Sequence, residues 1–399
     1  MRVPISRQIV RHLAMLLALT FAFDAAYAQR IDDELAARLS DVQTTAYVRH
    51  LRAKSRFDRD VEAYWTEIEA LKDRRRQRRA TRGAFTTDDF VTAQPPVYTG
   101  PAVPADVAKI IASLRPATEP VELENLSDFL GHARKIYGFV PSRVSEAEFM
   151  QRYALESLAL GLTKDQVVRV YALETGGRGT YDMQAGIDPD TKRGRPISSA
   201  LGYAQLLGAN SVNELVKHGP AFIARLKALA ARSEGRRRAE LLSKAKVVRR
   251  MLQAARSVPN RWSAHVAFSR TPKGLGIHAL NLDGDVGPWL QTLKLQGVRE
   301  YAEKAGRPRL SGAEIELMNL AGPQTGLDMM DPVGRRMPTS NFFTQAAYNR
   351  NPIVRGRTSA ELLAALDDRM NHNLRKAGSI AFAKIFDTII ARRLRAANR

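Results

Sequence analysis

Capped helices recur along this chain and period-2 runs do not, which limits the fold to a mainly α architecture. Ser145 with Glu148, Thr163 with Gln166 and Thr358 with Glu361 each set a hydroxyl three residues ahead of a long acceptor side chain. That is the capping-box pattern that opens a helix. The first predicts a helix over 146–160, closed by Gly161. The second predicts one over 164–175, closed by Gly176 and Gly177. The third opens a helix near the C-terminus. No hairpin turn signal competes with them.

The remaining punctuation divides the chain. Arg2, Arg7 and Arg11 precede an apolar run from Leu13 to Phe23, and Ala26-Tyr27-Ala28 follows. A charged start, an apolar middle and a small-x-small site predict a secretory signal peptide over 1–28. The run is shorter than the ~20 apolar residues that span a bilayer. The mature chain is therefore expected to be exported and soluble, in the periplasm or secreted. Residues 31–82 contain neither Gly nor Pro and predict a basic helical extension over 29–92, with Leu35, Leu39, Val42 and Ala46 on one helical face. The basic run Lys72 to Arg79 reads as a solvated stretch or an electrostatic tether. Ala93 to Pro104 is Pro-rich and predicts an extended linker over 93–120. A large domain over 121–377 follows, carrying a basic elaboration over 225–257, and then a C-terminal basic helix over 378–399.

Composition narrows the chemistry. The chain has 399 residues, 44% of them hydrophobic, enough for a real core. It has no cysteine, which excludes disulfides, Cys-ligated zinc and thiol catalysis. The formal net charge of +21 calls for an anionic partner. For an exported protein that means cell-wall carboxylates or anionic headgroups; no specific nucleic acid is expected. The histidines show no metal-ligand spacing, so neither metal nor cofactor is expected. Asp283 to Gln291 reads as a loop entering a helix, with Trp289 in the core.

The segment from Tyr171 to Leu207 carries the candidate chemistry. Glu174 falls in the last turn of a helix whose Val167, Val168, Val170 and Leu173 are apolar. The negative end of the helix dipole and apolar neighbours both disfavour its charge, as a general acid near neutral pH requires. Gly176-Gly177-Arg178-Gly179 follows, and then Ser198-Ser199-Ala200-Leu201-Gly202-Tyr203-Ala204-Gln205. Further on comes Asn319-Leu320-Ala321-Gly322-Pro323, with Ala346-Ala347-Tyr348-Asn349 as a competing element of the same kind.

In that order these elements resemble the lytic transglycosylase and goose-type lysozyme group. The resemblance covers roughly residues 121–377, apart from the basic elaboration. It implies a lysozyme-like fold and cleavage of peptidoglycan glycan strands between N-acetylmuramic acid and N-acetylglucosamine, with Glu174 as the single catalytic acid. It also implies substrate contacts from Thr175, Ser198 or Ser199, Gly202, Tyr203, Gln205 and Asn319, with Tyr181 and Tyr348 as further candidates. The chain departs from the family pattern in four places, one of them Gly202-Tyr203-Ala204-Gln205, which keeps only half of the family's Gly-Leu-Met-Gln core. Thr175 stands where the family has serine, Met318 where it has tyrosine, and the loop after Glu174 is longer. That loop holds Asp182 and Asp188, either of which would serve as a second carboxylate if the enzyme were a hydrolase. Turn formation is the competing role of both. A non-catalytic wall-binding protein, and an injected or phage-derived effector whose basic arm binds nucleic acid or lipid, are the remaining alternatives.

Overall fold

The computed structural model describes residues 34–114 and 122–398; the predicted signal peptide lies outside them. Among the described residues the chain is helical, with isolated β-bridges and no strand. None of those helices is long and apolar enough to cross a membrane.

The described residues divide into two compact units, one of 34–80 with 93–114, the other of 81–92 with 122–398. In the first, α1 runs from Asp41 to Ala80 and buries Tyr64, Trp65, Ile68 and Leu71. The face expected from Leu35, Leu39, Val42 and Ala46 does not form. The chain turns at 37–40, Leu35 is buried and Val42 is exposed. The Pro-rich segment is not a free linker either. It lies extended along α1, where Tyr64 Oη donates to the Ala93 carbonyl (2.9 Å) and Tyr98 packs edge-on against Phe57. Its second half then forms α2, Ala105–Leu114, which Gln43 ties to α1 through Asp106. Proline forbids a helix over 93–104 but leaves side chains free to pack.

Residues 81–92, expected at the end of the basic extension, belong instead to the second unit. Asn341 accepts from Val91 N (2.9 Å) and donates to Val91 O (2.8 Å), completing a bond pair as a sheet partner would.

The second unit is built from α3 (Leu126–His132), α4 (Glu146–Ala159), α5 (Lys164–Thr175), α6 (Gly208–Ala231), α7 (Gly235–Ala255), α8 (Trp262–Ser269), α9 (Pro272–His278), α10 (Gly287–Lys304), α11 (Gly312–Ala321), α12 (Pro323–Met330), α13 (Gln345–Arg350), α14 (Ser359–Asn373) and α15 (Ala377–Ala397). The predicted caps form. Ser145 accepts from Glu148 N, and the boxes at Thr163 and Thr358 close in both directions. Ser311 with Glu314 is another box, which opens α11.

Two packing features place the later chemistry. The first is α15, which is not an appended basic helix. Phe382 and Phe386 are fully buried among Tyr153, Tyr171 and Tyr203, and each contributes about 1.5–3 kcal/mol on burial. This packs α15 against α4 and α5.

The second is an ion network before α10. Lys244 Nζ lies 2.8 Å from Asp283 and 2.5 Å from Asp285, and Arg152 reaches Asp285 at 2.9 Å; the lysine and both aspartates are buried. Losing one partner would leave a buried charge uncompensated at a cost of about 3–5 kcal/mol. The loop entering α10 is thereby fastened to α4 and α7. Trp289, expected in the core, packs there against Phe222.

Candidate active site

Glu174 ends α5 as the sequence predicts. Gly176 takes the left-handed conformation that stops the helix. Asn373 Nδ2 donates to Ala172 O (2.9 Å), satisfying one of the carbonyls the helix leaves open. Gly177 passes so close to α14 that a Cβ there would meet Asn373 O at 2.4 Å. The end of α5 is thus held from outside, and Glu174 turns into a cavity of about 580 Å3.

The helix facing it is α11. Glu316 and Asn319 are one turn apart and share a face. Asn319 Nδ2 donates to Glu174 Oε1 (3.3 Å) and to Glu316 Oε1 (3.1 Å). One amide thus joins the two carboxyl groups. Glu316 is buried, whereas Glu174 sits deep in the fold yet stays part-exposed to the cavity it lines. Burial pushes both carboxyls above their ordinary range. The charge of Lys294, on α10, opposes that shift at both groups, and Arg369, on α14, opposes it at Glu174. For Glu316 the charge of Glu174 adds to the rise, and it stands well above the ordinary value. Two like groups in contact do not ionise together readily, so they hold a proton between them.

The opposite wall comes from the turn 201–206. Leu201 and Leu206 exchange backbone bonds of 3.0 and 2.9 Å, and Gln205 Nε2 donates to Gly202 O (2.7 Å). Gln205 lies at φ +41°, a region that costs a non-glycine residue about 1–2 kcal/mol. A strained side chain on the wall facing a buried acid is the kind of position function retains. Beneath the turn, Gln291 Oε1 accepts from Tyr203 N (2.9 Å). Gly202, at φ +74°, leaves no room for a Cβ, which would meet the Gln291 amide at 2.4 Å. Gly202→Ala is therefore expected to destabilise the fold by at least about 1–2 kcal/mol, read as a lower denaturant midpoint. An unchanged midpoint would mean the turn is not held as described.

Of the expected site residues, Glu174, Gln205 and Asn319 line the cavity. The others lie outside that lining. Thr175 is buried and donates back to Tyr171 O (2.7 Å). Ser198 Oγ accepts from Ala200 N, and Ser199 Oγ accepts from Gly208 N at the start of α6. The Ser199 carbonyl is bonded by His278 Nε2 (2.6 Å), whose ring burial holds neutral with a pKa pushed down to about 4. Gly202 shapes the turn without lining the cavity. Tyr203 is a core residue bonded to Glu146, and Tyr181 stacks on Phe149 with its hydroxyl between Arg143 and Val144 O. Tyr348 is buried and accepts from Gly356 N, supporting the loop that brings Asn351 and Ile353 to the cavity. Asp182 pairs with Arg143 (2.6 Å) and Asp188 binds the amides of Asp190 and Thr191, so both do local structural work.

The sequence reading missed Glu316, Lys294, Arg369 and Trp262. Glu316 had a signal: a glutamate one helical turn before Asn319, inside a helix announced by Ser311 and Glu314. Among the described residues no three His, Asp or Glu side chains converge as a metal site would need. Comparisons with protein-family models, with curated proteins and with solved structures find no match for this chain.

Proposed function

We propose that the protein is a lysozyme-like enzyme that cleaves peptidoglycan glycan strands as a lytic transglycosylase, with Glu174 as its acid and then its base. The observation that carries the reading is the pair of carboxyls, Glu174 and Glu316, bridged by Asn319 at the wall of an open cavity. A carboxyl kept protonated near neutral pH can donate to a glycosidic oxygen.

The steps balance without water. Glu174 gives its proton to the leaving oxygen as the bond from C1 of N-acetylmuramic acid to that oxygen breaks. The acetamido oxygen of the same sugar stabilises the developing positive charge. Glu174, now a carboxylate, takes the proton of the sugar's own 6-hydroxyl, and O6 closes on C1 to give a 1,6-anhydro end. Lys294 and Arg369 stabilise the carboxylate that forms midway.

The second carboxylate invites a hydrolytic reading, but its placement argues against one. Glycosidases that use two carboxylates hold them about 5–9.5 Å apart, with the sugar or a water between. Glu174 and Glu316 share the donor Asn319 Nδ2, so that amide, not a sugar or a water, bridges them. Asp182 and Asp188 do not line the cavity. One-carboxylate chemistry therefore fits the site better. The net charge of +21 suits an anionic wall, and export remains part of the proposal.

Mass spectrometry of muropeptides released from purified sacculi tests the reading. Anhydro-ended products are expected. Reducing ends would move the mechanism to hydrolysis, and no release with binding retained would make this a wall-binding protein.

A further inference from the structure

We infer that the Glu174 cavity continues into a second saccharide-binding arm, entered across Trp262 and built for a strand that carries carboxylates. The inference rests on the glycan-cleaving reading above and deepens it. A second cavity, of about 670 Å3, shares Asn210, Trp262, Lys294 and Asn319 with the first, so the two form one groove. Each alone is in the size range of a small-ligand site, and together they ask for an extended ligand.

Trp262 is the unusual residue on that path. The chain has three tryptophans; Trp65 and Trp289 are 7% and 9% exposed, whereas Trp262 is 50% exposed. Leaving an indole in water forgoes the burial that would stabilise the fold. Its base is firm nonetheless. It starts α8, whose His265 and Phe268 are buried. A rigid, open aromatic face at the junction of two cavities is a platform for the apolar face of a sugar ring. Beyond it, Asn210 and Asn213 supply amides suited to hydroxyl and acetamido groups, and Tyr301 is held in place by its bond to Gln324 (2.8 Å).

The charges set the kind of strand. Within the arm Glu214 faces Lys217 (3.8 Å) and His218 (3.5 Å), and Gln296 binds Glu300. Lys217, Lys294 and Lys304 line it against Glu214 and Glu300, so its lysines outnumber its carboxylates. Amino sugars bearing lactyl or peptide carboxylates meet both requirements, stacking at Trp262 and charge at the lysines.

Binding tests this without turnover. In the full chain carrying Glu174→Gln, N-acetylglucosamine oligomers of two and six sugars are titrated by tryptophan emission and by calorimetry. Because the other tryptophans are buried, the emission reports on Trp262. The longer oligomer is expected to bind more tightly and shift the emission to the blue. Adding Trp262→Ala should weaken the six-sugar probe by about 5- to 10-fold, the scale of one aromatic stacking contact. Trp262→Phe should fall between, with an unchanged unfolding curve. A muramyl-peptide oligomer should lose further affinity on Lys304→Ala, whereas the neutral oligomer should not.

Equal affinity for both lengths, or a Trp262→Ala protein that binds six sugars undiminished, would overturn the arm. Length-dependent binding in a protein that never cleaves sacculi would instead retire the chemistry of Glu174 and keep the arm. Cleavage with no role for Trp262 would do the reverse.

Discussion

Glu174→Gln is expected to lower glycan cleavage by about 10²- to 10⁴-fold while sacculus binding persists. Glutamine keeps the shape of the side chain and its bond to Asn319, but has no proton to give. It also removes a carboxyl that burial holds above its ordinary range, so the variant should fold at least as well as the wild type. Loss of activity is then chemical rather than structural. The check pairs the rate of muropeptide release with sedimentation of the protein alongside sacculi and with thermal unfolding. A variant that keeps a tenth of the activity would place the acid elsewhere. The substitute by position is Glu316, which shares the Asn319 donor, and the double variant would separate the two.

The parts of this molecule that were legible in the sequence are those decided within a few residues. Thr163 and Gln166 cap α5 whatever else surrounds them, and Gly176 stops it. The position of Glu174 and its misfit with the helix dipole followed from that alone. Asn319 was legible through Ala321-Gly322-Pro323, where α11 ends and α12 begins. What stayed hidden depends on segments far apart in the chain. Glu316 lies 142 positions after Glu174 (316 − 174), and nothing local separates it from a solvated helix glutamate; its burial exists only once α5 meets α11. Tyr181 and Tyr203 sit in a loop where sugar contact and core packing look alike. For Tyr203 the choice is made by Glu146 and by Phe382, on helices with no sequence link to the motif. The basic C-terminal stretch concealed the apolar face of α15 for the same reason. Trp262 follows a basic stretch without a motif, and only the meeting of two cavities singles it out.

Glu316→Gln is expected to move the alkaline limb of the pH–rate profile to lower pH. The acid form of the pair is the active one, so rate falls as pH rises through its upper ionisation. Burial raises both carboxyls, and the charge of Glu174 resists ionisation of Glu316, so the last proton of the pair is held at the higher value of Glu316. Glutamine removes the partner that holds this last proton and supplies an amide donor in its place, which stabilises the Glu174 carboxylate. Lys294 continues to favour the carboxylate as well. Glu174 then loses its proton earlier, and each pH unit of movement costs about tenfold in rate above the limb. Stability should change in the opposite sense. A carboxyl whose folded pKa is raised stabilises the fold fully below its unfolded value, ordinarily 4.5, and loses that contribution as pH rises through the folded value. The wild type should therefore weaken as pH rises from the acid range, and Glu316→Gln should weaken less. Unfolding temperatures should diverge in favour of the variant near about pH 8 and converge near about pH 4. A slower enzyme that is harder to unfold would mean the pair stores its proton at the expense of the fold. An alkaline limb that stays in place would mean that burial alone keeps Glu174 protonated, leaving Glu316 to hold Asn319 in position.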